Sequence, residues 1–160
     1  MNESDIPKVT KAINAHLAAN HKVHITFTEN EVKHFLCPRE EVIWSYLVED
    51  ENNNVTDFIS FYALNSQILG DSEHTHIMAA YAFYNFVKGN DKDRMKQLIR
   101  DLLILANQEK FDVFNMTEVL NHGAVKNELM FRPGDGRLAH YFYNWRIQSV
   151  ESSDIGIVLV

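Results

Sequence analysis

The sequence predicts an α+β chain in which a mixed, mostly antiparallel sheet carries helices on its faces. Three observations lead there. Apolar residues recur at helical spacing in two stretches, Ile6-Val9-Ile13-Leu17 and Met95-Leu98-Ile99-Leu102, each with a capping residue in front of it. Between these stretches, aromatic and β-branched runs follow one another with turn residues between them, as antiparallel neighbours do. After the second helical stretch comes a strand, helix, strand, strand pattern. At 160 residues, 46% hydrophobic and 23% charged, the chain has the size and composition of a single domain over 1–160, able to build a core without disulfide or metal staples.

Ser4 and Asp5 before Ile6 and Pro7 predict a helix over 6–19. Val23, Ile25 and Phe27 alternate with polar residues, which reads as a short strand or extended connector. Thr28-x-x-Glu31 is a capping box that opens a short helix through Leu36, with Pro38 just beyond. VIWSYLVE at 42–49 and VTDFISFYAL at 55–64 flank the turn-rich EDENNN and predict a hairpin. A loop holding Asn65, Ser66, Gly70, Asp71 and Ser72 then leads to IMAAYAFYNFV at 77–87, a strand too apolar on both faces for a solvated edge. Lys88-Gly89-Asn90-Asp91 ends it, and Asp91 caps a helix over 92–108. FDVFN at 111–115 predicts a short strand, and 118–129 a helix interrupted by Gly123. After the RPGDG turn at 132–136, strands are predicted at 138–146 and 155–160.

Fifteen basic against 22 acidic residues give a net charge of -7, which repels phosphate backbones and excludes nucleic acid as a partner. The longest apolar stretch, Ile77 to Tyr84, is far short of the roughly 20 residues of a spanning helix. The first ten residues have neither the basic flank nor the apolar run of a secretory signal. Cys37 is the single cysteine. The expected setting is therefore reducing and cytoplasmic.

The succession of elements resembles the GNAT acyltransferase fold with its first strand missing. Three longer segments carry a closer likeness: VTDFISFYAL with the serine after it, FDVFN, and PGDGRLAHYFYNWR at 133–146 with the apolar end GIVLV. Together they resemble the carboxy-terminal half of glycylpeptide N-tetradecanoyltransferase, or N-myristoyltransferase, and the likeness runs nearly the whole length. Enzymes of that family have two GNAT-like halves, and the amino-terminal one, absent here, holds most of the myristoyl-CoA site and its oxyanion hole. The resemblance therefore implies a fragment or separately expressed half. It also implies a glycine-terminated peptide as substrate, myristoyl-CoA as cosubstrate of the complete enzyme, and an exposed face through which an isolated half can self-associate. The sequence has its own argument against an acyl-CoA site in this chain. A self-sufficient GNAT enzyme carries a glycine-rich turn before its long helix to hold pyrophosphate, whereas FVKGNDKD offers one glycine and two aspartates.

The family uses its terminal α-carboxylate as the base for the substrate amine, which here implies Val160. The resemblance carries over Ser66, Tyr81, Asn115 and Asp135 as peptide-site positions, with Leu138 and Leu159 beside them. Each has an ordinary alternative: a turn former for Ser66 and Asp135, packing for Tyr81, a strand-end cap for Asn115. Leu138 leads an aromatic run whose alternation sends some side chains to the core and others to the groove. Three departures bear on the groove's shape. Asn65 stands where the family usually has proline, Met116 replaces a small residue, and Arg132-Pro133 precede GDG. His74-x-His76 and the sequence cluster His16, His21 and His24 lack the carboxylate or cysteine that would complete a metal site, so no metal is expected. A non-catalytic module that binds peptides or a partner chain is the alternative reading.

Overall fold

The computed structural model describes residues 1–70, 75–134 and 136–159. Helix α1 (Ile6–Asn20) carries Pro7 in its first turn and buries Ile6, Val9, Ile13 and Leu17, one stripe at intervals of three and four. Strand β1 (Val23–His24) follows, then α2 (Glu29–Leu36). The capping box at α2 is formed: the Glu31 amide donates to the Thr28 hydroxyl at 3.3 Å and the Thr28 amide to the Glu31 carboxylate at 2.7 Å. Strands β2 (Ile43–Glu49) and β3 (Val55–Gln67) make the expected hairpin. In its turn, the Asp50 carboxylate takes the amides of Asn52 and Asn54, both at 2.9 Å.

β3 is the spine of the sheet. The order is β2-β3-β4-β6, where β4 spans His76–Ala82 and β6 spans Val113–Asn115; the short β5 (Phe86–Val87) also pairs with β3. β4 and β6 are parallel and the other pairs antiparallel. Alternation along β3 sends Phe58 into a cluster with α1 and α2, and Ile59 and Phe61 into a second cluster with α3 (Lys92–Gln108). The sheet thus has α1 and α2 on one face and α3 on the other. Asp91 caps α3 as expected, accepting from the Arg94 amide at 2.9 Å. The Arg94 guanidinium in turn reaches the buried Asp57 of β3 at 3.0 Å, which fixes the helix to the sheet.

Five expectations are corrected. Asn65 and Ser66 belong to β3 rather than to a loop, because the ladder with β4 continues through Asn65↔Met78, Ser66↔Ile77 and Gln67↔His76 after the apolar alternation has ended. The predicted strand over 77–87 is two pieces. Phe83 and Tyr84, adjacent in sequence, both enter the α1/α2 cluster, which a regular strand cannot do. Where the backbone steps away at this break, the Asn85 side chain accepts the buried Ser60 amide at 2.7 Å, and the Ser60 hydroxyl donates to the Tyr84 carbonyl at 2.8 Å.

The stretch 118–129 forms turns with one 3-10 segment, His122–Ala124, instead of an α-helix. Leu120 and His122 are both buried, and two residues apart on a helix would place them on opposite sides. Left-handed backbone at Leu120 (φ 53) and Asn121 (φ 65) turns both inward. Lastly, among the described residues 138–146 pairs with no strand, and a lone strand has nothing to satisfy its backbone. The closing strand is only β7 (Ile155–Gly156), which pairs in parallel with β1.

Candidate functional site

The register places Tyr62, Tyr81 and Asn115 in one row across β3, β4 and β6. Alternation puts Leu64 and Ser66 of β3, Ile77 and Ala79 of β4, and Val113 of β6 on the same face. This is the α1/α2 face, but Leu64 and Ser66 lie past the cover of those helices and are exposed. Tyr62 and Tyr81 stack with ring centroids 5.5 Å apart. From Tyr62 an aromatic series runs inward, each ring edge-on to the next: Phe83 at 5.4 Å, Tyr84 at 4.8 Å, then Phe27 at 5.1 Å. Ser66, Tyr81 and Asn115, expected as site residues on separate segments, therefore share one strip of sheet.

The end of the chain runs onto the same strip. The Val158 amide donates to the Tyr84 phenol oxygen at 3.3 Å, and the Tyr62 phenol donates to the Leu159 carbonyl at 3.2 Å. Burial is the main cause that raises the pKa of both phenols above the usual 10, with Tyr81 adding to the effect at Tyr62. Tyr62 therefore stays a donor at neutral pH. Val158 is buried, whereas Leu159 is half-exposed.

Upstream, the tail is tied to the α1–β1 corner. Lys22 pairs with Asp154 at 2.9 Å, and the buried His21 ring meets the Ser153 carbonyl through Nδ1 at 3.1 Å, so that nitrogen carries the proton. Gly156 is required here, since a Cβ on it would lie 2.8 Å from the His21 ring. Gly156→Ala is expected to destabilise by about 1–3 kcal/mol through overpacking, read as a lower midpoint in urea denaturation.

Leu138 is 65% exposed, in a stretch that also exposes Tyr141, Tyr143 and Trp145. Asp135, Val160 and His74 lie outside the described residues. Among the described residues no three metal-ligating side chains come together, and no helix is long and apolar enough to cross a membrane. At the start of α3, carboxylates already hold the amides that a pyrophosphate would need: Asp91 takes that of Arg94, and Asp57 takes that of Lys88 at 3.3 Å. A cleft of about 580 Å³ lies elsewhere, between α1 and the β2–β3 turn, and none of the row lines it.

Sequence reasoning missed Tyr62 and Tyr84. Tyr62 lies on the predicted strand, but its place on the same face as Ser66 follows only from the continuation of β3 through Gln67. Tyr84 was out of reach, because its direction depends on the break between β4 and β5.

A Caenorhabditis elegans protein described as probable glycylpeptide N-tetradecanoyltransferase is 41% identical over 159 residues, which cover 99% of this chain and 35% of that relative. A solved Saccharomyces cerevisiae N-myristoyltransferase with bound myristoyl-CoA superposes with a TM-score of 0.74 at 29% identity, over 85% of this chain and 35% of that one. The Brucella melitensis ribosomal-protein-alanine N-acetyltransferase, at 15% identity and a TM-score of 0.61 over 89% of this chain and 96% of its own, shares the fold alone. The chain thus has a GNAT-like fold and spans about a third of the length of the curated relative it matches. Residues 1–158 match the family described as Myristoyl-CoA:protein N-myristoyltransferase, C-terminal domain, and the chain belongs to that family.

Proposed function

We propose that this chain is the peptide-binding part of a protein N-myristoyltransferase, and that it supplies the base from its own terminus. The observation that carries this reading is the meeting of the chain end with the Tyr62-Tyr81-Asn115 row, through the bonds from Tyr62 to Leu159 and from Val158 to Tyr84. The α-carboxylate follows Leu159 by one residue, and Leu159 is held by Tyr62 of this row, which supports a base beside an amine bound on this face. Ser66, Tyr81, Asn115 and Asp135 position the peptide, with Leu138 and Leu159 at its sides.

The substrate's amino-terminal glycine enters as an ammonium with a pKa near 7.7–8.0 and gives up a proton to the Val160 α-carboxylate. That carboxylate is a weak base, so its contribution comes from being held beside the amine. The neutral amine attacks the thioester carbon of myristoyl-CoA. The C–N bond forms, the C–S bond breaks, and CoA leaves as its thiol with the second proton of the amine. Backbone amides of the amino-terminal half stabilise the charge on the thioester oxygen. The occupied amides at the start of α3 support an acyl-CoA site on that other half. The exposed Tyr141, Tyr143 and Trp145 fit an apolar face that meets it, or that self-associates in an isolated chain. The expected setting is the cytoplasm.

Fused to the amino-terminal half of a relative, this chain is expected to support transfer of labelled myristate to a peptide beginning Gly-x-x-x-Ser, and not to the same peptide beginning with alanine. A folded fusion that leaves the glycine peptide unmodified overturns the reading. So does robust transfer by the 160-residue chain alone.

A further inference from the structure

We propose that Tyr62 and Tyr84 are positioning residues that clasp the last residues of the chain and so aim its terminal carboxylate, an assignment that rests on the function proposed above. Two phenols engage two successive residues of the tail. Tyr84 accepts from the Val158 amide at 3.3 Å, and Tyr62 donates to the Leu159 carbonyl at 3.2 Å. Neither phenol is free to wander. Tyr84 is 2% exposed and held edge-on between Phe27 and Phe83; Tyr62 is stacked on Tyr81 and edge-on to Phe83. The break between β4 and β5 makes this possible, since it turns Phe83 and Tyr84 to the same side of the sheet and sets Tyr84 beside the row that begins with Tyr62.

Besides the burial of the Val158 side chain in the α1/α2 cluster, the clasp is what holds the tail's end. The β7–β1 pairing stops at Gly156, and the ion pair of Asp154 and the contact of Ser153 lie further upstream. From Ile157 to Leu159 the backbone pairs with no strand among the described residues. Val158 is buried, so its amide needs the Tyr84 oxygen, whereas the Leu159 carbonyl is half in solvent and gains direction more than stability from Tyr62. Tyr84 anchors, and Tyr62 orients.

The test uses the enzyme with both halves, a Gly-x-x-x-Ser peptide and myristoyl-CoA. Tyr62→Phe and Tyr84→Phe keep the rings and remove only the hydroxyls. Each is expected to lower kcat about 3- to 10-fold, the worth of one hydrogen bond, with peptide KM unchanged. Combined with one alanine appended after Val160, each is expected to add little further loss, because both changes act through the same carboxylate. Full additivity overturns the assignment, as does an unchanged kcat in both variants when the appended alanine alone lowers it; the base reading then stands without the clasp. If the appended alanine leaves kcat unchanged, the base reading fails, and amide exchange decides the clasp separately. Exchange about 10-fold faster at Val158 in Tyr84→Phe supports it, and unaltered exchange overturns it.

Discussion

One alanine appended after Val160 is expected to lower kcat of the two-half enzyme by about 10²-fold or more, with little change in peptide KM. The addition turns the α-carboxylate into a neutral amide and moves the nearest carboxylate up to about 3.5 Å further along the chain. Displacements of about 1 Å in a reacting group can already cost 10²-fold. On the proposed reading the peptide is held by the strip that includes Ser66, Tyr81 and Asn115, which the extra residue leaves in place. Changing the last side chain instead, as in Val160→Leu, keeps the carboxylate and is expected to alter kcat by less than about 3-fold. Single-turnover measurements separate the chemical step from product release. An extended enzyme with unchanged kcat would assign the base to another group.

The parts of the fold legible in the sequence were those set by local rules. The proline and apolar stripe of α1, the capping box of α2 and the Asp91 cap of α3 each announce a helix within a few residues. What escaped was decided by distant partners. The last residues of β3 carry no apolar alternation and are strand only because β4 runs beside them. His122 turns inward to meet Asn85, 37 residues earlier, and that requirement overrides the helical appearance of 118–129. For the site, the motifs named Ser66, Tyr81 and Asn115 on separate segments, while only the register shows that they share a face. The clasp was illegible because it needs both the break at Phe83–Asn85 and the docking of the tail.

Acid is expected to weaken the fold well before the carboxylates titrate. His122 is fully buried; its Nε2 accepts from the Asn85 amide at 3.2 Å and its Nδ1 donates to the Thr117 carbonyl at 3.2 Å, so the ring is neutral with its proton on Nδ1. Burial pushes its pKa down from 6.5 to about 4. A second proton would set an N–H against the Asn85 amide hydrogens. Between pH 6.5 and about 4 the unfolded chain binds a proton that the folded chain refuses, so stability is full above 6.5 and drains away as the pH falls. The total for His122 is on the order of 3 kcal/mol, with about 2 kcal/mol gone by pH 5. His16, also lowered to about 4, by burial first and by His21 second, adds in the same direction but less, being only half-buried. Carboxylates such as Asp5 and Asp154, whose pKa values lie below 3.8, contribute only at lower pH, so the histidine window is separable. Urea midpoints at pH 7.5 and pH 5 read the effect. His122→Asn is expected to be less stable at pH 7.5, because the Asn85 network is disturbed, yet to lose less between the two pH values. A loss as large as in the unmodified chain would place the proton uptake at another group and leave His122 a packing residue alone.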